Sequence, residues 1–290
     1  MPCPYAELYI YQLEGRMDGR TTVEGQDFLG HWQEEDSSFL FFSAPAAEAI
    51  AGILRRQPHL RLVDRTQMAY DQWQGDMLAG GTIGRFRIIP SWQPPEREIA
   101  VPDSTIPILL DPGLVFGSGA HATTRDCLNA LELAAGQGAP ATVLDLGTGT
   151  GILALAAARL GSRRVIAVDL NPLAARTAWR NVQLNALERR ILVVQGRAEE
   201  FLDVPADLLV ANIHAEVMLR MMETPGFRRM ARCILSGLLR SEAKEVRRRL
   251  SLQGMGILGE WVQDGIWHTY FTERSQAAGW TPSSRAQSTS

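Results

Sequence analysis

VLDLGTGTGIL, residues 143–153, is the stretch on which the fold turns. A short apolar run ends in glycines at 147, 149 and 151, and an alanine- and leucine-rich segment, ILALAAARLG, follows to residue 161. The first run has the length of a buried strand, and the second reads as a helix closed by Gly161. The glycines between them let the backbone turn sharply and come close to a ligand before the helix begins. Downstream the pattern repeats. RRVIAVDL is a second strand, and Asn171 with Pro172 makes a helix start, the cap followed by proline at the first helical position. ILVVQG, ADLLVANI and CILSGLL read as further strands, with helices over Val217–Met222 and over SEAKEVRRRLSLQG. Repeated βα units of this kind give a parallel, doubly wound sheet. GILGEWVQDGIWHTYFTER closes it as a strand pair joined at Asp264-Gly265.

Upstream the chain has a different texture. ELYIYQLEG, SSFLFFSA and LRLV read as strands, and AEAIAGILRRQ as a helix with Ile50, Ile53 and Leu54 on one face. Residues 1–64 are therefore expected to form a small α+β domain. Residues 65–108, rich in Gly and Pro around a strand at GRFRIIPSW, are expected to be a connector. Trp73 and Trp92 flank it, and they either pin it to the next domain or belong to a cleft. Residues 109–274 form the main α/β domain, and the polar tail from 275 to 290 is expected to be disordered.

Composition excludes several classes. With 290 residues, 21% charged, and a net charge of -3, there is no global pull toward nucleic acid or an anionic membrane. The three cysteines are odd in number and far apart, which argues against a disulfide framework and fits a reducing, cytoplasmic compartment. No apolar run approaches the length of a membrane span. The five histidines are scattered without ligand spacing, so no metal site is expected. The Arg-rich KEVRRRL reads as a solvated helix face rather than an RNA contact.

In a doubly wound sheet, ligands bind beyond the carboxyl ends of the strands where the strand order reverses. Asp169 ends the second strand, about twenty residues past the glycine turn, where a ribose hydroxyl pair needs an acceptor. The turn is Gly-x-Gly-x-Gly with Asp145 two residues before its first glycine, whereas the dinucleotide fingerprint is Gly-x-Gly-x-x-Gly. A carboxylate there repels a diphosphate and suits S-adenosylmethionine, which carries a sulfonium and an ammonium group and no phosphate. That cofactor is favoured over a nicotinamide. Asn212, at the end of the fourth strand, would sit on the same rim. Its amide can accept a hydrogen bond from a target amine and aim the lone pair; the alternative is a cap for the following helix. Ile213 and His214 follow it, instead of the two prolines and an aromatic of nucleic-acid amino-methyltransferases. This argues against a base-modifying enzyme. His214 reads as an exposed spacer or a proton acceptor.

DPGLVFGSGAHATT, VLDLGTGTGILALAA, VDLNPLA, VANIHAE and LSGLL occur in that order. Together they resemble the ribosomal protein L11 methyltransferase family over roughly residues 60 to 274. The resemblance implies a seven-stranded, mostly parallel Rossmann-like methyltransferase sheet with a small ferredoxin-like domain before it, shortened here. It implies transfer of methyl groups from S-adenosylmethionine to amino groups of a large-subunit ribosomal protein. Carried over residue by residue, Thr124 contacts the cofactor, Gly147 lines its methionine side, Asp169 takes the ribose and Asn212 lies beside the transferring methyl. Gly149 and Asp145 complete the turn, Phe116 packs on or covers the cofactor, and His121 reads as a residue that orders the loop or as a catalytic one. RMDGRTTVEGQ stands where the family's small domain has a helix, and Ala122 where the loop commonly has proline. The alternatives are a related enzyme acting on another protein lysine or a small amine, and a non-catalytic S-adenosylmethionine-binding protein.

Overall fold

The computed structural model describes residues 5–18, 23, 25–34, 36–74, 80–93 and 105–275. The expected disordered tail, apart from Ser275, lies outside the described residues, as do parts of the expected connector.

The main sheet has seven strands: β8 (Thr142–Leu146), β9 (Arg164–Asp169), β10 (Ile191–Gln195), β11 (Leu208–Asn212), β12 (Arg232–Leu239), β13 (Met255–Gln263) and β14 (Trp267–Arg274). Their order is β10-β9-β8-β11-β12-β14-β13. The first five are mutually parallel, and β14 enters antiparallel between β12 and β13. The order reverses beside β8, which has β9 on one side and β11 on the other, so the rim above β8 is the switch point.

Alternation along β8 explains why Val143, Leu144 and Leu146 are all apolar. Val143 points into a core formed with α3 (Ala122–Gly136) and α4 (Ile152–Arg159). Leu144 and Leu146 point into another, with α6 (Ala215–Glu223) and α7 (Arg240–Leu252). A strand covered on both faces has no solvent side on which to place polar residues. The methionines at 218, 221 and 222 are fully buried in the second core, which accounts for the spacing seen in the sequence.

The N-terminal sheet orders β1 (Glu7–Glu14), β2 (Phe28–Glu34), β3 (Ser37–Phe42) and β4 (Arg61–Ala69) as β2-β3-β1-β4, every neighbouring pair antiparallel. β1 and β2 thus run the same way, as in a split βαβ unit, yet none of the described residues of RMDGRTTVEGQ between them is helical. α1 (Ala47–Arg56) covers one face, placing Ile50 and Ile53 on Tyr11, Leu13, Leu40 and Phe42. β4 runs on through residue 64, where the connector was expected to begin. After α2 (Tyr70–Gln74), β5 (Gly81–Ile83), β6 (Phe86–Pro90) and β7 (Ile106–Leu110) form a separate three-stranded sheet. Ile83, Phe86, Ile88, Ile108 and Leu110 of that sheet belong to the same core as α3 and α4.

The other face of the N-terminal sheet meets the main domain. Leu8, Ile10 and Phe41 pack with Tyr70, Leu114 and Val115, and with Leu173 and Ala174 of α5 (Pro172–Leu184). Trp73 lies against Trp32 and Phe41 with ring centroids at 5.7 and 5.4 Å, and Trp92 against Tyr70 at 6.5 Å. The Tyr70 hydroxyl donates to the Gly113 carbonyl at 2.7 Å. The tryptophans therefore act as pins, in an apolar layer beneath the loop of residues 111–121. Each fully buried side chain there contributes roughly 1.5–3 kcal/mol.

Candidate active site

Three chain segments meet above β8. The glycine turn leaves β8 at Gly147, whose amide donates to the Val168 carbonyl at 2.8 Å; the Thr148 amide shares that carbonyl at 3.0 Å. Gly149 has φ +57, and a Cβ there would overlap the Phe116 carbonyl oxygen. That close approach is what the middle glycine permits: Thr150 N donates to Phe116 O at 3.0 Å and Thr150 Oγ1 to Gly117 O at 2.6 Å. The loop DPGLVFGSGAH is thus strapped across the turn through its backbone. Phe116 is 56% exposed, and its ring meets the His121 ring edge-on at 5.4 Å.

Asp169 braces the turn from the neighbouring strand. Its Oδ2 accepts from Gly149 N and its Oδ1 from Asn171 N, both at 2.9 Å. Burial raises its pKa, and the two backbone donors oppose that rise. Each oxygen keeps a lone pair for a further donor. Asn171 caps α5 through Leu173 N at 2.9 Å, as its sequence position before proline predicts.

Asp145 is buried beneath the turn. Thr148 Oγ1 donates to its Oδ2 at 2.5 Å, while Oδ1 is enclosed and has no hydrogen-bond partner. Burial pushes its pKa up to about 7, against the Thr148 bond, and the Asp169 charge adds to the rise.

The loop ends in α3, which His121 caps: its side chain accepts from Thr123 N. Thr124 therefore lies inside the first helical turn rather than at its start. Its amide donates to the His121 carbonyl at 3.1 Å, so the amide is already committed. Its hydroxyl is buried without a partner. Asn212 projects from the end of β11, and its Nδ2 donates to Thr123 Oγ1 at 3.2 Å. It does not cap α6, whose N-cap is His214 without a side-chain bond. His214 itself is exposed.

Thr124, Gly147, Gly149, Asp169 and Asn212 thus sit around one rim, with Asp145 below and Phe116 at the outer edge. Two contributors were not read from the sequence. Thr123 bonds Asn212, and Trp267 meets the His121 ring edge-on at 5.0 Å. The Thr-Thr pair was visible, but which hydroxyl faces which strand depends on the start of α3. Trp267 follows a hairpin turn and carries no local signal.

A family model, ribosomal protein L11 methyltransferase (PrmA), matches residues 56–274. The chain belongs to this family. A curated ribosomal protein L11 methyltransferase from Anoxybacillus flavithermus is 40% identical over 187 residues, covering 61% of this chain and 58% of the relative. Another, from Pelotomaculum thermopropionicum, is 47% identical over 134 residues, covering 46% and 42%. The chain spans less than two thirds of the length of these relatives. A solved structure of the ribosomal protein L11 methylase of Lactobacillus delbrueckii subsp. bulgaricus aligns with TM-score 0.57 at 29% identity, over 67% of this chain and 96% of that one. The family match begins at the end of α1, so β1, β2, β3 and most of α1 precede it.

The site fits S-adenosylmethionine, the cofactor of the family's reaction. An unpartnered buried hydroxyl at Thr124 suits a carboxylate, and the free Asp145 oxygen gives negative potential beneath a cation. Asp169 keeps acceptor capacity for a hydroxyl pair. The glycine turn lets the backbone approach without side chains. No helix of the described residues is long and apolar enough to cross a membrane.

Proposed function

We propose that this chain transfers methyl groups from S-adenosylmethionine to amino groups, lysine side chains or the N-terminal amine, of ribosomal protein L11. The gathering of Thr124, Asp145, Gly147, Asp169 and Asn212 around the switch point carries the reading. These donors and acceptors complement a cationic, diol-bearing cofactor. When bound, the cofactor would supply a methyl on a sulfonium for transfer to the amine nitrogen, with the carbon–sulfur bond pair going to sulfur and an amine proton to solvent. The protein's own work is alignment. Asp169 holds the ribose hydroxyls and Gly147 lines the methionine side. The Thr124 hydroxyl takes the carboxylate. Asn212 accepts from the amine, and Phe116 closes the outer edge. Desolvation lowers the amine's pKa and frees its lone pair.

Residues 109–274 are the catalytic unit in this reading, with 65–108 joining them to a substrate-recognition unit over 1–64. Cytoplasmic location is supported by Cys127 and Cys233, both free and buried. A second reading, a relative aimed at another protein lysine or a small amine, is favoured by one observation: the segment before residue 56 lies outside the family match. Labelled S-adenosylmethionine mixed with purified L11, and in parallel with an undermethylated lysate, separates the two. Label on L11 supports the first reading. Label on another lysate protein with none on L11 supports the second, and no transfer to any acceptor overturns both.

A further inference from the structure

The motif LSGLL and the first threonine of the Thr-Thr pair are not used by the reading above, yet both touch Asn212. An amide offers a donor end and an acceptor end, and only the acceptor can orient an amine's lone pair. Something must fix which end faces outward.

The hydrogen bonds run as a chain of polarity from the cap of α3 to Asn212. In the cap of α3, His121 Nδ1 is the acceptor of Thr123 N at 3.3 Å, which corresponds to the tautomer with its proton on Nε2. With Nδ1 as the acceptor, as in that cap, the hydrogen between His121 Nδ1 and Thr123 Oγ1, 2.7 Å apart, comes from the threonine. With its one proton committed, Thr123 Oγ1 can only accept, and it accepts from Asn212 Nδ2 at 3.2 Å. In that tautomer a flipped amide would set two acceptors against each other. Burial lowers the His121 pKa, which favours the neutral ring. Phe116 and Trp267 hold its ring edge-on at 5.4 and 5.0 Å. Thr123 is itself buried, with its carbonyl reached by Ser236 Oγ at 3.5 Å.

The acceptor end is left open. Asn212 Oδ1 takes no hydrogen bond from any described residue and is not among the enclosed atoms. It lies beside Gly237, the glycine of LSGLL, on the strand next to Asn212's own. Gly237 has φ +82, and a Cβ there would stand 2.9 Å from Asn212 Oδ1 and 3.0 Å from Ile213 O. Any larger residue would cover or turn the amide.

We propose that Thr123 is the positioning residue for Asn212, its hydroxyl holding the amide nitrogen so that the oxygen is presented to the substrate amine, with Gly237 keeping that oxygen uncovered. This rests on the methyl-transfer reading for its consequence, but the side-chain arrangement can be tested apart from it. Thr123→Val keeps the shape and removes the hydroxyl; Thr123→Ser restores it. With L11 as acceptor, Thr123→Val should lower kcat by roughly 10- to 100-fold. KM for S-adenosylmethionine should stay within about threefold, and Thr123→Ser should return kcat to near the wild-type value. Independently, the Asn212 side-chain amide protons, assigned by their loss in Asn212→Asp, should exchange with water about tenfold faster in Thr123→Val and at the wild-type rate in Thr123→Ser. Unchanged amide exchange in Thr123→Val overturns the proposal whatever the activity. So does an unchanged kcat, or a serine variant as impaired as the valine one. If the wild-type protein methylates nothing while the exchange rates respond as expected, the reaction assigned above falls and the orientation of the amide stands.

Discussion

Replacing Gly149 with alanine tests whether the loop and the glycine turn form one closed unit. The added Cβ would overlap the Phe116 carbonyl oxygen, and alanine would have to hold φ +57. A left-handed conformation costs an L-residue about 1–2 kcal/mol. Moving the loop away sacrifices the bonds from Thr150 N at 3.0 Å and Thr150 Oγ1 at 2.6 Å, each worth about 0.5–1.5 kcal/mol. Lower unfolded-chain entropy returns about 0.4–1 kcal/mol. The net loss is roughly 2–4 kcal/mol. If the loop stays down, the loss appears in urea unfolding. If it lifts, the loss appears in S-adenosylmethionine affinity, at about tenfold per 1.4 kcal/mol. Both are measured, unfolding by circular dichroism and affinity by calorimetry. Gly136→Ala is the control, because a Cβ there meets nothing within 4 Å in the closing turn of α3. A Gly149→Ala protein within about 1 kcal/mol of wild-type stability and within about fivefold of its affinity would refute the strapped-loop geometry.

Three further outcomes are expected. Asp169→Ala removes the acceptor of two backbone amides and the proposed ribose ligand. It should weaken S-adenosylmethionine binding by at least about 100-fold, and unchanged calorimetric affinity would remove the ribose assignment. Thr124→Val should weaken S-adenosylmethionine by roughly 5- to 30-fold while leaving or slightly raising stability, since the hydroxyl is buried with no partner to lose. A drop in Tm with no change in affinity would make it a packing residue. Asp145 binds its proton more tightly folded, at about 7, than unfolded, near 3.8. Its contribution to stability is thus complete below pH ~4 and lost as pH rises through about 7. Asp145→Asn should therefore gain on wild type steadily across that window in urea titrations, and parallel pH profiles would show that Asp145 does not carry the shift.

The sequence by itself determined the main domain. Strand and helix periods, the Asn171-Pro172 start and the Asp264-Gly265 turn act within a few residues, and each alternation of β8 is dictated by burial on both faces. The same local chemistry marked Asp145, the glycines and Asp169, because a turn that must approach a ligand has few residue choices. Tertiary structure decided what depends on pairing distant segments. β4 extends past its apolar run because hydrogen bonding to β1 holds it. The supposed connector supplies a sheet because Ile83, Phe86 and Ile88 find α3 and α4 to cover them. The orientation of Asn212 was out of reach for the same reason. It is set by Thr123, 89 residues away in the chain, by the histidine that caps α3 and meets the threonine hydroxyl, and by a glycine on the adjoining strand. Local sequence specifies which groups are present; only the packing of separate elements fixes which way a two-ended amide turns.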